Sequence, residues 1–180
     1  PSGESFLWRM DDYPWRQCVW NYHPEFEIHL IRHSSGLSYV GDFIGSFDAG
    51  QLVLVGSNLP HNWISPSIGK EKLLGRDIVV QFDPDRMRRT ASELPELSNL
   101  EPLFQKAAFG LEFLGETAVK GAAILERMGG VDGILCLGGL IELLGLMAKS
   151  EEVRTLATPQ FIAQFQPGRS QEMEILSKAL

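Results

Sequence analysis

All four histidines of the chain fall between His23 and His61, and carboxylates are interleaved with them. In an extended run successive side chains point to opposite faces. Asn21, His23, Glu25, Glu27 and His29 therefore share one face, and Phe26, Ile28 and Leu30 share the other. A face so rich in imidazole and carboxylate needs water or a polar cavity in front of it. Three chemistries suit it. The first is hydrogen bonding to a polar ligand, the second a structural polar cluster, the third a divalent metal, which imidazole and carboxylate ligands suit. Glu25 and Glu27 also form a carboxylate pair of the kind used in acid–base work. His61 follows Pro60, and Trp63 has the parity of His61, so an aromatic wall belongs beside it. Tyr39 and Arg16 are weaker wall residues; Trp20, of opposite parity to His23, is read as core, and His33 as structural or exposed. No Ser/His/Asp order, phosphate-cradling loop or CxxC pair is present, and the Gly-Gly pairs at 129–130 and 138–139 lack the strand-to-helix setting of nucleotide loops.

The elements that must hold these side chains are short strands. Runs at 17–22, 25–33, 37–40, 43–47, 51–55, 61–64 and 73–82 alternate with Ser34-Ser-Gly36, Gly41-Asp42, Asp48-Ala-Gly50 and Gly56-Ser-Asn58 turns. Ile78-Val-Val80 is β-branched and reads as a core strand. About seven or eight such strands make a small antiparallel barrel or sandwich. Residues 1–14, with Trp8, Tyr13 and Trp15, read as an arm packed on that barrel. At Asp83-Pro84 the texture changes: Asp83 can N-cap a helix with Pro84 in its first turn. Residues 93–102 carry a second short helix or turn, 101–109 one or two helical turns, and 110–115 a strand returning to the barrel.

The run His23-Pro-Glu-Phe-Glu27, the Val40-Gly-Asp42 turn and the run Gly50-Gln-Leu-Val-Leu-Val-Gly-Ser-Asn-Leu-Pro-His-Asn-Trp63 resemble the cupin sensor domain of AraC-type transcription regulators. The resemblance is close over 15–65 and looser downstream. It implies a mainly β fold with α: a cupin-like double-stranded β-helix, or jelly-roll barrel, over 1–115, then a helical dimerisation and linker region over 116–180. It implies a small-molecule effector, a sugar or other small metabolite, bound by His23, Glu25, Glu27, His61, Trp63 and Tyr39, with Trp8 of the arm closing over it. It further implies a non-enzymatic cytoplasmic regulator that reaches DNA only through a C-terminal helix-turn-helix domain lying beyond this chain. In the metal-binding cupins two His and a Glu are joined by a later His. Here His23, Glu27 and His61 take three of those positions and Asn21 the fourth, so no cofactor is expected, and a divalent metal is the minor alternative. With it goes the rival function, a stand-alone metal-dependent isomerase or dioxygenase.

Downstream, Glu116–Met128 reads as a helix with Val119, Ala122, Ala123 and Met128 inward and Gly129-Gly130 stopping it. Asp132 can cap the next helix, which runs to about Lys149 with a stripe of Ile134, Leu137, Ile141, Leu144 and Met147. Leu135, Leu140, Leu143 and Leu146 widen that apolar surface, so it needs cover on two sides: its own barrel, and a second subunit in a homodimer. Ser170–Leu180 begins an amphipathic helix.

Composition bounds the partners. Sixteen Lys and Arg against 23 Asp and Glu give a net charge of −7, which suits duplex DNA poorly. The chain is 44% hydrophobic and 22% charged, ordinary for a globular domain of 180 residues. Cys18 and Cys136 read as thiols in a reducing compartment. The most apolar run, Ile134–Met147, contains Glu142 and is too short for a bilayer. Pro1 in place of Met, with no signal peptide, reads as the start of a piece of a longer protein.

Overall fold

The structure is a computed structural model that describes residues 5–14, 20–66 and 72–164. Two antiparallel sheets carry the site. Strands β1 (Phe6–Tyr13), β2 (Phe26–Ile31), β5 (Leu52–Val55), β7 (Leu73–Phe82), β8 (Leu111–Phe113) and β9 (Val153–Thr155) form one, in the order β1-β7-β2-β5-β8-β9. Strands β3 (Gly36–Val40), β4 (Phe43–Phe47) and β6 (His61–Ile64) form the other, in the order β4-β3-β6. Ile31, Val40, Phe47, Val53, Val55, Leu59 and Trp63 fill the space between the sheets.

The larger sheet is buried on both faces, which explains why β2 and β5 contain no exposed residue. Its other face carries Phe26, Ile28, Leu30, Leu52, Leu54, Ile78, Val80, Phe82, Leu111 and Phe113 against helices. Those helices are α1 (Pro84–Glu93), α2 (Glu101–Ala107), α3 (Gly115–Met128) and α4 (Gly133–Ala148), with a 3-10 segment at Pro95–Leu100 and a final α5 (Pro159–Gln164). Asp83 caps α1 as the sequence indicates, its Oδ1 accepting from the backbone N–H of Asp85 (2.8 Å) and Arg86 (3.2 Å). Among the described residues no helix is long and apolar enough to cross a membrane.

Several expectations change. The arm contains a strand: β1 pairs with β7 from Phe6↔Phe82 to Tyr13↔Leu73. Its alternation is an edge-strand alternation, with Phe6 and Trp8 packed towards the helices, and the charges at Arg9, Asp11 and Asp12 hid it. In α3 the buried stripe is Thr117, Gly121, Ile124, Leu125 and Met128, not Val119 and Ala123, which are exposed. A hydropathy count misses it because its inner face uses a glycine for close approach: a Cβ on Gly121 would stand 2.5 Å from Leu52 Cδ2. In α4, Leu144 and Met147 are buried in the chain's own core, with Cys136, Leu140 and Leu143, so they are unavailable to a second subunit. Ile134, Leu135 and Ile141 stay exposed and Leu137 is half-buried. Asp132 occupies the N-cap position of α4 without a side-chain bond to it. The short β9 has no sequence signal beyond Val153 and Thr155. Residues 15–19, with Trp15, Arg16 and Cys18, and Ser170–Leu180 lie outside the described residues.

Candidate functional site

Strand register decides which side chains meet. Glu27 and His29 of β2 stand opposite Gln81 and Val79 of β7, and all four side chains have the parity that faces the smaller sheet. Asn21 makes an isolated backbone bridge to His61 (N–H to carbonyl 3.1 and 3.0 Å), which brings the segment 20–23 over β6. The result is a cavity of about 330 Å³ lined by Arg9, Asp11 and Tyr13 from β1, Asn21, Tyr22 and His23, Glu27 and His29 from β2, His61, Asn62 and Trp63 from β6, and Arg76, Asp77, Val79 and Gln81 from β7. Among the described residues Val79 is the only aliphatic one in that lining.

Glu27 is the hub. Its carboxylate lies 3.2 Å from His23 Nε2, 3.0 Å from His29 Nδ1 and 3.5 Å from His61 Nε2, and it accepts from Gln81 Nε2 at 2.8 Å. Burial alone would raise its pKa. The facing His61 imidazole and hydrogen bonds from His23, His29 and His61 outweigh that and hold it well below the usual carboxylate range. His29 is stacked on Trp63 with ring centres 3.9 Å apart, and its Nε2 lies 3.5 Å from Asp77 Oδ1. Burial disfavours its charged form, but Asp77 and Glu27 bring its pKa to about 9. His23 is also raised: burial lowers it, and Glu27 and Glu25 more than compensate. Asp77 is lowered, as His29 and Arg76 outweigh its burial.

Arg76 builds the floor. Its guanidinium sits 4.0 Å over the Tyr13 ring and donates to Asp77 (2.7 Å), to the Trp63 carbonyl (3.2 Å) and to Ser65 Oγ (3.1 Å). It faces inward because Gly75, at φ +56°, breaks the β1–β7 register beside it. Each charge in the lining thus has an opposite neighbour, Arg9 with Asp11 at 2.6 Å included.

The residues singled out in the sequence divide into three groups. His23, Glu27, His61 and Trp63 come together at the cavity. Glu25 sits at its mouth, half-exposed, with Oε2 3.6 Å from His23 Nδ1. Tyr39 and Trp8 do not reach it. Tyr39 points to the outer face of β3, edge-on to Trp20 at 5.6 Å, so Trp20 is only partly buried rather than core. Trp8 lies on the helix side of β1 and donates its Nε1–H to the Leu125 carbonyl (3.0 Å). His33 is exposed. Arg9, Arg76, Asp77 and Gln81 are lining residues that the sequence reading missed. The parity of β7 was the available signal: Asp77, Val79 and Gln81 alternate with Ile78, Val80 and Phe82.

His23, Glu27 and His61 each offer one ligand atom, all within 4.8 Å of one another. His23 Nδ1 is 3.1 Å from the Glu25 carbonyl, and His61 Nδ1 is 2.8 Å from the Leu59 carbonyl. With Nδ1 of each ring held by a carbonyl, both Nε2 atoms aim at Glu27, where they donate to the carboxylate; a metal bound there would take the place of those protons. The residues fit a three-ligand divalent site with open positions.

No protein-family model matches the chain, and no curated protein matches it. Solved structures do. An apo ToxT variant from Vibrio cholerae aligns over 81% of this chain and 54% of its own, at 14% identity and a TM-score of 0.46. ToxT from Vibrio cholerae bound to a methylnaphthalenyl-butenoic acid aligns over 98% of this chain and 66% of its own, at 12% identity and a TM-score of 0.45. HEPD of Streptomyces albus, with 2-hydroxyethylphosphonate and Fe(II) bound, aligns over 85% of this chain and 43% of its own, at 16% identity and a TM-score of 0.31. The chain spans less than two thirds of the length of each.

Proposed function

We propose that this chain is the effector-sensing and dimerisation part of an AraC-type transcription regulator, with its cavity as the effector site. One observation carries the reading: a partly open cavity of about 330 Å³ whose walls combine hydrogen-bonding groups with aromatic faces, with every charge balanced by a neighbour. A site of that kind favours a compact, neutral, polyhydroxylated molecule such as a small sugar, because each buried donor or acceptor needs a partner on the ligand. His23, Glu27, His61 and Trp63 are its proposed contacts, with Glu25 at the mouth. The two facing sheets support, as part of the same reading, a cupin-like double-stranded β-helix over 1–115. The proposed partner surface is the α4 stripe of exposed Ile134 and Ile141 with half-buried Leu137 between them, which a second copy covers. DNA is reached through a helix-turn-helix domain beyond this chain. The effector acts by population shift, binding one arrangement of the dimer more tightly than the other.

A thermal-shift screen of monosaccharides and polyols tests the site. A ligand at about 100 times its Kd adds about 2.7 kcal/mol. His23→Ala and His61→Ala should each remove that shift; an unchanged shift in both variants refutes the assignment.

The second reading is a metal-dependent enzyme of isomerase or dioxygenase type. The convergence of His23, Glu27 and His61 favours it. A divalent ion held there would supply Lewis acidity. Protein purified without chelating resin should then carry one equivalent of metal, lost in His61→Ala.

A further inference from the structure

Below the cavity the space between the sheets is apolar, yet a row of polar side chains crosses it. Trp63 Nε1 donates to Gln51 Oε1 at 2.7 Å, and Gln51 Nε2 donates to Glu112 Oε1 at 3.1 Å. Arg154 Nε donates to Glu112 Oε2 at 2.6 Å. Trp63, Gln51 and Glu112 are 3%, 8% and 6% exposed. An apolar interior does not require these groups, and each costs free energy to bury unless its partner is in place. The row starts at the cavity, where Trp63 forms the wall and stacks on His29. It ends on β8 and β9, where Glu112 and Arg154 are directly opposed.

The placement of its ends is informative. Among the described residues no backbone ladder joins β6 to β8 or β9; β6 pairs with β3, in the other sheet. Strand β8 leads straight into α3, and β9 follows α4, so the α3–α4 hairpin is inserted between the two strands that the row holds. The junction is tied again by Glu152, whose carbonyl accepts from Leu114 N–H (2.8 Å) and whose carboxylate accepts from Thr117 N–H (3.2 Å) at the start of α3.

We infer that Trp63, Gln51, Glu112 and Arg154 form a coupling path that transmits the state of the cavity to the α3–α4 hairpin. Its regulatory meaning rests on the effector reading given above. Its physical existence does not, and it can be tested without an effector. Gln51, Glu112 and Arg154 touch no ligand; they act through Trp63. A ligand that shifts the Trp63 indole changes the one donor that satisfies Gln51 Oε1 from the cavity side. Gln51 must then re-pair, and Glu112 and Arg154 follow on β8 and β9.

The experiment is amide hydrogen exchange on the full chain with Trp63→Phe, which keeps a ring and removes the donor. Loss of one buried hydrogen bond should speed exchange in Leu111–Phe113, Val153–Thr155 and the first turn of α3 roughly fivefold or more. A purely local packing role predicts a different map, with the change confined to β6, its ladder neighbour β3 and, next in that sheet, β4. That outcome overturns the path. The second arm repeats Trp63→Phe in a Gln51→Leu background. The path predicts no additional acceleration at β8 and β9, because the link is already cut; additive effects overturn it. Should Gln51→Leu fail to fold, Gln51→Met offers the same cut with an unbranched chain. If the sugar screen yields no effector while the exchange coupling is present, the effector reading fails and the path stands.

Discussion

Raising the pH from 6 to 9 should cost this fold about 3 kcal/mol, and His29 is the group responsible. It is 7% exposed, holds Glu27 at 3.0 Å and Asp77 at 3.5 Å, and stacks on Trp63. Burial opposes its charge, but Asp77 and Glu27 outweigh burial and raise its pKa from 6.5 to about 9. A raised histidine contributes stability that is complete below the unfolded pKa and disappears as pH rises through the folded one. At about 1.4 kcal/mol per pH unit, the interval gives about 3 kcal/mol. The carboxylates work at the other end. Glu27 and Asp77 are held low, so their contribution is present above about pH 4 and lost as pH falls below it. Stability should therefore be fullest between about pH 5 and 6.5. Urea denaturation followed by tryptophan fluorescence, in EDTA, reads this as a midpoint lower by about 1–2 M at pH 9 than at pH 6. His29→Gln should be less stable at pH 6 and should lose most of the slope; the remainder belongs to the more exposed His23, which titrates in the same direction. Equal midpoints at pH 6 and 9 in the wild type, or an undiminished slope in His29→Gln, would refute the reasoning.

Three further outcomes are expected. Gly36→Ala places a Cβ 2.0 Å from the Ile64 carbonyl oxygen across the β3–β6 ladder, and since backbone cannot step aside cheaply, thermal unfolding should show a loss of about 2 kcal/mol or more. Asp83→Ala removes both cap bonds of α1 and should cost about 1 kcal/mol, a fall of about 2–4 °C in Tm; an unchanged Tm would mean the cap is replaced by water. Ile134→Glu with Ile141→Glu alters side chains that are 83% and 37% exposed, so Tm of the isolated fold should change little while sedimentation reports loss of the dimer. A wild type that sediments as a monomer at all concentrations removes that interface.

Much of the two-sheet framework could be read from the chain because strand alternation and turn chemistry are local. The strand Phe43–Phe47 between the Gly41-Asp42 and Asp48-Ala-Gly50 turns, the strand Leu73–Phe82 and the Asp83 cap of α1 stand where residue types place them. Trp8 shows the limit. An aromatic in an arm near a pocket motif carries no mark of which side of the sheet it will face. Only the β1–β7 register turns it to Leu125 and sends Arg9 and Asp11 into the cavity. Stripe prediction failed in α3 for a related reason: Gly121 is inside because Leu52 and Leu143 fill the space its missing side chain leaves.

The order of residues alone requires that Glu27 and His29 share a face and that His61 and Trp63 share another, because a pleated strand alternates with a period of two; His23, expected in the same run, lies before β2 and reaches them from the segment bridged to β6. Residue order also determined that α4 has more apolar surface than one neighbour needs. Tertiary structure decided what those faces meet. Pairing β2 with β7 brought Gln81 and Asp77 to the histidines, and a break at Gly75 brought Arg76 inward. Packing α4 on α3 and the sheet consumed Leu144 and Met147 and left Ile134 and Ile141 at the surface. These outcomes depend on contacts between residues distant in sequence, such as His23 and Gln81 or Gln51 and Glu112, whose partners no local pattern encodes.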